Sequence, residues 1–260
     1  MHSTDIIRTF AAKLNSEMKE KDMIFGIRAT IEAVEAGREM DKIFIRRDMG
    51  GDLARELVTL LLKRNIPFQK VPLEKLDRLT KKNHQGVVAF TSGIEYQSLE
   101  NLVPMIYEQG RDPFLVLLDG VTDVRNFGAI ARTCECAGVD AIVVPTKGAA
   151  AGNADAVKTS AGALNVIPVC RVASLHNAVS YLQKSGIRVV AASEKAQHLY
   201  SEADYSGPLA IIMGAEDTGV SPDILRIVND MVGIPIKGQI ESLNVSVAAG
   251  VLIYEAIKNR

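Results

Sequence analysis

Three segments of this chain end an apolar run in a loop whose side chains could do chemistry. In LLDGVTDVRNFGAIARTCECAG, residues 117–138, Asn126 stands just before a helical pattern, and Arg132 lies off that helix's apolar stripe of Ile130, Cys134 and Ala137. An arginine there can grip a phosphate or stabilise a forming oxyanion, because its planar fork stays charged at any physiological pH. A solvated surface arginine is the plainer alternative, and Asn126 could simply cap the helix. In LAIIMGAEDTGVSPDIL, 209–225, a buried strand runs into Gly214, which permits close approach of backbone to a ligand. Glu216 follows and could pair bidentately with an active-site arginine or remain solvated. Ser221-Pro222 then reads as a helix cap and first helical residue. In GIPIKGQIESLNVSVAAGVLIYEAIK, 233–258, Ser242, Asn244 and Ser246 gather where a helix starts. Capping needs one of them, so the surplus points to a polar site, with a purely structural helix start as the alternative.

Other chemistries lack their residues. There is no G-x-G-x-x-G or G-x-x-x-x-G-K-[ST] loop, no G-x-S-x-G elbow and no H-E-x-x-H. Histidines 2, 84, 176 and 198 are scattered. The pair Cys134 and Cys136 has no nearby histidine to complete a zinc site, so no metal is expected. With Cys170 the cysteines make an odd number, which fits reduced core thiols in a cytoplasmic protein. No run resembles a signal peptide or a membrane span, so no membrane association is expected. Asn244-Val245-Ser246 matches a glycosylation sequon that has no meaning without secretion.

These loops must be held by a framework, and the chain is long and apolar enough to bury one: 260 residues with 47% hydrophobic content. Residues 1–21 read as an amphipathic helical extension, with Ile6, Ile7, Phe10, Leu14 and Met18 at helical spacing. Residues 22–92 read as a small α/β module, with a helix over 28–36, a strand at 42–45, a helix over 52–64, and strands PFQKV and GVVAF. Residues 93–112 read as a linker with one short helix. From 113 to 260 the runs FLVLLD, AIVVP, VIPVC, IRVVAA, LAIIM and MVGIPI alternate with helical patterns. Near-continuous apolar strands of this kind imply a parallel sheet covered on both faces, with its ligand at the carboxyl ends of the strands. The whole chain carries a formal charge of only -1, yet residues 42–82 hold eleven Lys and Arg against five Asp and Glu. Any polyanion contact therefore belongs to the first module, and such a contact should weaken as salt rises.

Taken in order, NFGAIARTC, IMGAEDTGVS and IPIKGQIESLNVSVAAG resemble the three motifs of the SpoU (TrmH-like) RNA 2'-O-ribose methyltransferases of the SPOUT superfamily. KTSAGALNVIPV is similar to that family, as are FGIRATIEAVEAG and NHQGVVAF in the first module, so the resemblance spans about residues 22–260. Arg28, where many relatives carry histidine, and the N-terminal extension depart from the pattern. The resemblance implies an α/β fold with a C-terminal trefoil knot, a homodimer, and S-adenosyl-L-methionine as cofactor. It places the cofactor against backbone around Gly214, Ile234 and Leu243, and makes Asn126, Arg132, Glu216, Ser242 and Asn244 the polar active-site positions. The two-module layout looks closest to bacterial enzymes acting on a guanosine of 23S rRNA. A tRNA substrate, or a non-catalytic RNA-binding or ribosome-assembly role on the same fold, is the alternative.

Overall fold

The computed structural model describes residues 23–64, 66–258 and 260, so the extension expected over 1–21 lies outside the described residues. Two compact units divide the chain: residues up to Gly93 together with Gly152–Ala154, and residues 94–151 with 155–260.

In the first unit, strands β1 (Met23–Phe25), β2 (Met40–Arg46), β3 (Phe68–Val71) and β4 (Val87–Thr91) form a sheet in the order β1-β4-β2-β3, with β4 antiparallel to β1 and β2. Strand alternation sends Ile43, Ile45, Val87 and Ala89 to one face. There they meet Ile31 and Val34 of α1 (Ile27–Glu35) and Leu57 and Leu61 of α2 (Asp52–Lys63). Val71 and Val88 face the other way, toward Leu76 of α3 (Leu73–Leu79). The seven residues of α3 were not expected as a helix. They span too few turns for a helical period to show, and only Leu76 is buried.

The second unit is built on an eight-stranded sheet. Its strands are β5 (Tyr96–Gln97), β6 (Phe114–Leu118), β7 (Ala141–Pro145), β8 (Val169–Val172), β9 (Arg188–Ala192), β10 (His198–Leu199), β11 (Leu209–Met213) and β12 (Asp230–Gly233). Their order is β10-β12-β9-β11-β6-β7-β8-β5, and every pairing is parallel. Central strand β6 explains the unbroken apolar runs. Phe114, Val116 and Leu118 enter the core under α5 (Val124–Cys136) and α9 (Val245–Lys258), while Leu115 and Leu117 enter the core under α4 (Leu99–Glu108) and α7 (Leu175–Lys184).

Residues 94–112, read as a linker with one helix, are integrated into this unit. Tyr96 and Gln97 pair with Val169 and Cys170, and α4 buries Leu99, Leu102, Val103 and Ile106. Two strands differ from their sequence bounds for the same reason. β8 begins only after Pro168, and β12 ends at Gly233, short of Pro235; a proline nitrogen has no hydrogen to give the ladder. The second difference leaves residues 234–244 as the loop that shapes the site. Among the described residues, no helix is long and apolar enough to cross a membrane.

Helix α5 meets α6 (Ala154–Thr159) at Gly128, where an added Cβ would lie 2.7 Å from Thr159 Cβ and 2.9 Å from the Ser160 nitrogen. Alanine at position 128 would gain about 1 kcal/mol of helix propensity, but overpacking typically costs about 1–3 kcal/mol. Gly128→Ala should therefore lower the unfolding free energy in urea by roughly 1 kcal/mol or more. An unchanged or raised midpoint would show that the two helices can part without cost.

Candidate active site and cofactor cavity

The loops after β6, β11 and β12 meet at the carboxyl edge of the large sheet. After β6, Asp123 caps α5, its Oδ1 accepting from the Arg125 and Asn126 backbone nitrogens at 2.7 and 3.0 Å. The capping role open to Asn126 thus belongs to Asp123, and the Asn126 side chain is free for other partners.

After β11 the chain turns sharply. Ala215 and Gly219 exchange backbone hydrogen bonds of 3.1 and 2.9 Å, closing a tight loop that presents Glu216. An added Cβ on Gly214 would lie 2.0 Å from the Gly219 carbonyl carbon and 2.1 Å from the Val220 nitrogen. What demands glycine here is the returning strand of its own loop, whatever ligand the backbone also approaches. Asp119, at the end of β6, secures the far side of the turn: its Oδ2 accepts from the Ser221 backbone nitrogen at 2.7 Å.

Among the described residues Glu216 pairs with no arginine. Its Oε1 accepts from Asn126 Nδ2 at 3.1 Å and from Asn244 Nδ2 at 2.6 Å, while Asn244 Nδ2 also lies 3.0 Å from Asn126 Oδ1. A carboxylate only accepts, so these contacts fix which way both amides face. Asn244 has a second duty, since its Oδ1 accepts from the Ser246 backbone nitrogen at 3.0 Å and from the Ser246 hydroxyl at 2.5 Å. The surplus of polar residues at the start of α9 therefore divides: Asn244 caps and joins the cluster, and Ser246 serves the cap. Ser242 faces a cavity instead.

That cavity has a volume of about 280 Å³ and opens beside the ends of β9, β11 and β12. Met213, Val220, Val232 and Leu225 give it an apolar wall, and Glu194, Glu216, Asp217 and Glu241 with Lys195 give it charge. Gly214, Ile234, Leu243 and Ser242 all line it. The mixture suits a ligand with an apolar ring system and a charged end, consistent with S-adenosylmethionine. The Ser193–Lys195 stretch was not foreseen as part of a site. Its signal was the polar turn that follows the buried run IRVVAA at the same edge of a parallel sheet.

Arg132 stands apart. It is exposed, six residues beyond Asn126 on α5 or roughly 9 Å along the axis, and has no ion pair among the described residues. The structure brings Asn126, Glu216 and Asn244 into one hydrogen-bonded group and Ser242 to the cavity wall, but it gives Arg132 no contact with either.

Comparison with known proteins bears on the family and the fold. Residues 113–254 match the model of the SpoU rRNA Methylase family, and residues 23–97 match that described as RNA 2'-O ribose methyltransferase substrate binding. The 23S rRNA (guanosine-2'-O-)-methyltransferase RlmB of Photobacterium profundum is 36% identical over 92% of this chain and 98% of its own. The AdoMet-bound rRNA methyltransferase of Sinorhizobium meliloti shares the fold at a TM-score of 0.59 and 23% identity, over 94% of this chain and 90% of that one. The TrmH/SpoU tRNA modifying enzyme of A. aeolicus, at 30% identity and a TM-score of 0.51, covers 57% of this chain and 75% of its own.

Calorimetric titration with S-adenosylmethionine tests the division between cavity and cluster. Gly214→Ala, which cannot keep the 214–220 turn, should weaken binding at least about tenfold, or 1.4 kcal/mol. Glu216→Ala removes an exposed carboxylate that lines the cavity but leaves the turn intact, so it should cost less, within about threefold. Equal losses would mean that the carboxylate, and not the turn, holds the cofactor.

Proposed function

The chain belongs to the SpoU rRNA methylase family, and from that premise we propose that it methylates the ribose 2'-OH of a guanosine in 23S rRNA. The observation that carries the reading is the Asn126–Glu216–Asn244 group standing beside a cavity lined by Gly214, Ile234, Leu243 and Ser242. S-adenosylmethionine supplies an electrophilic methyl group when bound.

What the residues must add is position and charge. A ribose hydroxyl attacks only when held in line with the methyl and relieved of its proton, so orientation supplies much of the rate. Glu216 holds the two asparagines rigid. Asn126 and Ser242 then orient the ribose, the first through amide hydrogen-bonding capacity and the second through its hydroxyl at the cavity wall. Arg132 is a poor proton acceptor, because arginine stays protonated far above neutral pH. We assign it to the RNA phosphate and the forming alkoxide, with that phosphate as a route for the proton. Its exposure and lack of a partner among the described residues leave it available for this task.

Two observations favour ribosomal over transfer RNA. The guanosine-modifying relative matches both units, whereas the tRNA-modifying one matches little more than half of the chain. We further assign the family's trefoil threading to the 234–244 return, and a homodimer to the outer face of α9. On that helix Val247 and Tyr254, seven residues apart, are 53% and 52% exposed. A cytoplasmic location fits the free, buried thiols of Cys134 and Cys170, the latter pushed up to about 12 by burial.

Transfer of radiolabelled methyl groups to RNA, followed by nuclease mapping, tests the reaction; label on a base instead of a ribose overturns it. In the same assay Arg132→Ala should lower kcat on the order of 10²–10³-fold with cofactor affinity unchanged. Arg132→Lys should recover only a minor part, since lysine keeps the charge but loses the fork. Full activity of the lysine variant would remove the bidentate role.

A further inference from the structure

The cavity beside β9, β11 and β12 is bounded by three loops, and each brings an acid to its wall. Glu194 follows β9, Glu216 and Asp217 follow β11, and Glu241 lies on the return after β12. Lys195 is the one cation among the lining residues. All five of these residues are exposed, whereas the apolar wall of Met213, Val220 and Val232 is buried. The mouth of the cavity thus sets four carboxylates against one ammonium.

Two of the acids are already engaged. Glu216 Oε1 accepts from both asparagine amides, and Asp217 Oδ1 accepts from the Thr218 hydroxyl at 3.4 Å. The carboxylates of Glu194 and Glu241 have no hydrogen bond or ion pair among the described residues, and neither has the Lys195 ammonium. Like charges around one cavity repel each other, and a cation placed between them relieves that repulsion.

The ligand of this cavity changes its charge in the reaction. S-adenosylmethionine carries a sulfonium, an ammonium and a carboxylate, and so is a cation overall. When the ribose oxygen takes the methyl and gives up its proton, sulfur keeps the bonding pair and becomes a thioether. The product, S-adenosylhomocysteine, is therefore neutral overall, with the same adenosine and the same amino-acid end. The apolar wall meets both alike, apart from one methyl group. Charge at the mouth does not.

We propose that Glu194 and Glu241 are specificity-determining residues that favour the sulfonium cofactor over its neutral product, so that methyl transfer itself loosens the spent ligand. The inference deepens the cofactor site described above and rests on its assignment to S-adenosylmethionine. Specificity is a difference of affinities. A unit charge about 8 Å away in water-like surroundings changes affinity by about twofold, so the two free carboxylates together change the ratio of affinities roughly four- to sixfold. Lys195 acts on the sulfonium in the opposite sense.

Calorimetric titration of the full-length protein tests this with three ligands: S-adenosylmethionine, S-adenosylhomocysteine, and sinefungin, whose protonated amine stands in place of the sulfonium. The double variant Glu194→Gln/Glu241→Gln keeps the shape of both side chains and removes their charge. It should weaken the two cationic ligands roughly four- to sixfold at low salt and leave the neutral product within about twofold. Lys195→Gln should shift the ratio the other way, whatever it costs all three ligands in common. A control with the same charge loss at the amino edge of the sheet, Glu108→Gln/Glu135→Gln, should keep the native ratio. In the native protein the preference should fall at least about threefold between about 0.01 and about 1 M salt, as the screening length shrinks from about 30 to about 3 Å. That series needs no variant to fold. An unchanged ratio in the double variant, an equal change in the control, or a preference indifferent to salt overturns the proposal, as does sinefungin following the neutral product. Methyl transfer to RNA by native protein, alongside an unchanged ratio in the double variant, defeats this inference and spares the assigned reaction. A charge-dependent ratio without methyl transfer does the reverse, and binding of none of the three ligands defeats both.

Discussion

The site depends on one turn. Gly214 and Gly219–Val220 approach so closely that no side chain could stand between them, and that closeness sets where Glu216 points. Remove the turn and the carboxylate loses its position. Without it, Asn126 in the first turn of α5 and Asn244 at the start of α9 lose the acceptor they share. Segments 118 residues apart in sequence, as Asn126 and Asn244 are, meet at one Glu216 oxygen and through their own 3.0 Å bond. Because the three side chains are partly or fully exposed, the bonds add little to global stability in water. Their value is geometric: they hold two amides in fixed orientations at a surface that would otherwise leave them mobile.

The turn is secured in turn by the sheet. Asp119 ends β6 and its carboxylate binds the Ser221 nitrogen, while its own backbone nitrogen donates to the Met213 carbonyl at 2.8 Å. Gly120, at a φ of 75°, brings the same chain within contact of Ala215. From β6 the strand order runs outward through β7 and β8 on one side, and through β11 and β9 on the other. Such a reversal leaves a crevice at the carboxyl ends of the central strands. The cavity beside β9, β11 and β12 and the polar group after β6 and β11 both occupy that edge, so the sheet's order places chemistry and ligand side by side.

Much of this was legible in the sequence because burial on both faces leaves a plain mark. The runs FLVLL, AIVVP and LAIIM coincide with strands, and Arg132 falls on the exposed side of α5 as its stripe of Ile130 and Cys134 implied. What sequence could not settle was partnership. Asn126 and Asp123 are both good caps by type, and only the backbone geometry decides for Asp123. Glu216 suggested an arginine because charge is what composition displays, whereas its partners are neutral amides brought in by the fold. Short elements were also hidden: two-residue β5 and seven-residue α3 are shorter than the stretches over which a period can be recognised.

The near-zero net charge of the chain has a physical reading in this arrangement. The cavity wall, with Glu194, Glu216, Asp217 and Glu241 against Lys195, holds no surplus of cations. Holding a polyanion does need one, and phosphate contacts cost affinity steeply as salt rises. Concentrating cations in residues 42–82 puts that surplus in the first unit, apart in sequence from the acidic wall of the cavity. Were the same charges spread over the whole surface, any RNA segment would be held at many places and the reacting ribose would compete with them. A local surplus confines such contacts to one segment of the chain, which is already a restriction on how a polyanion can be oriented.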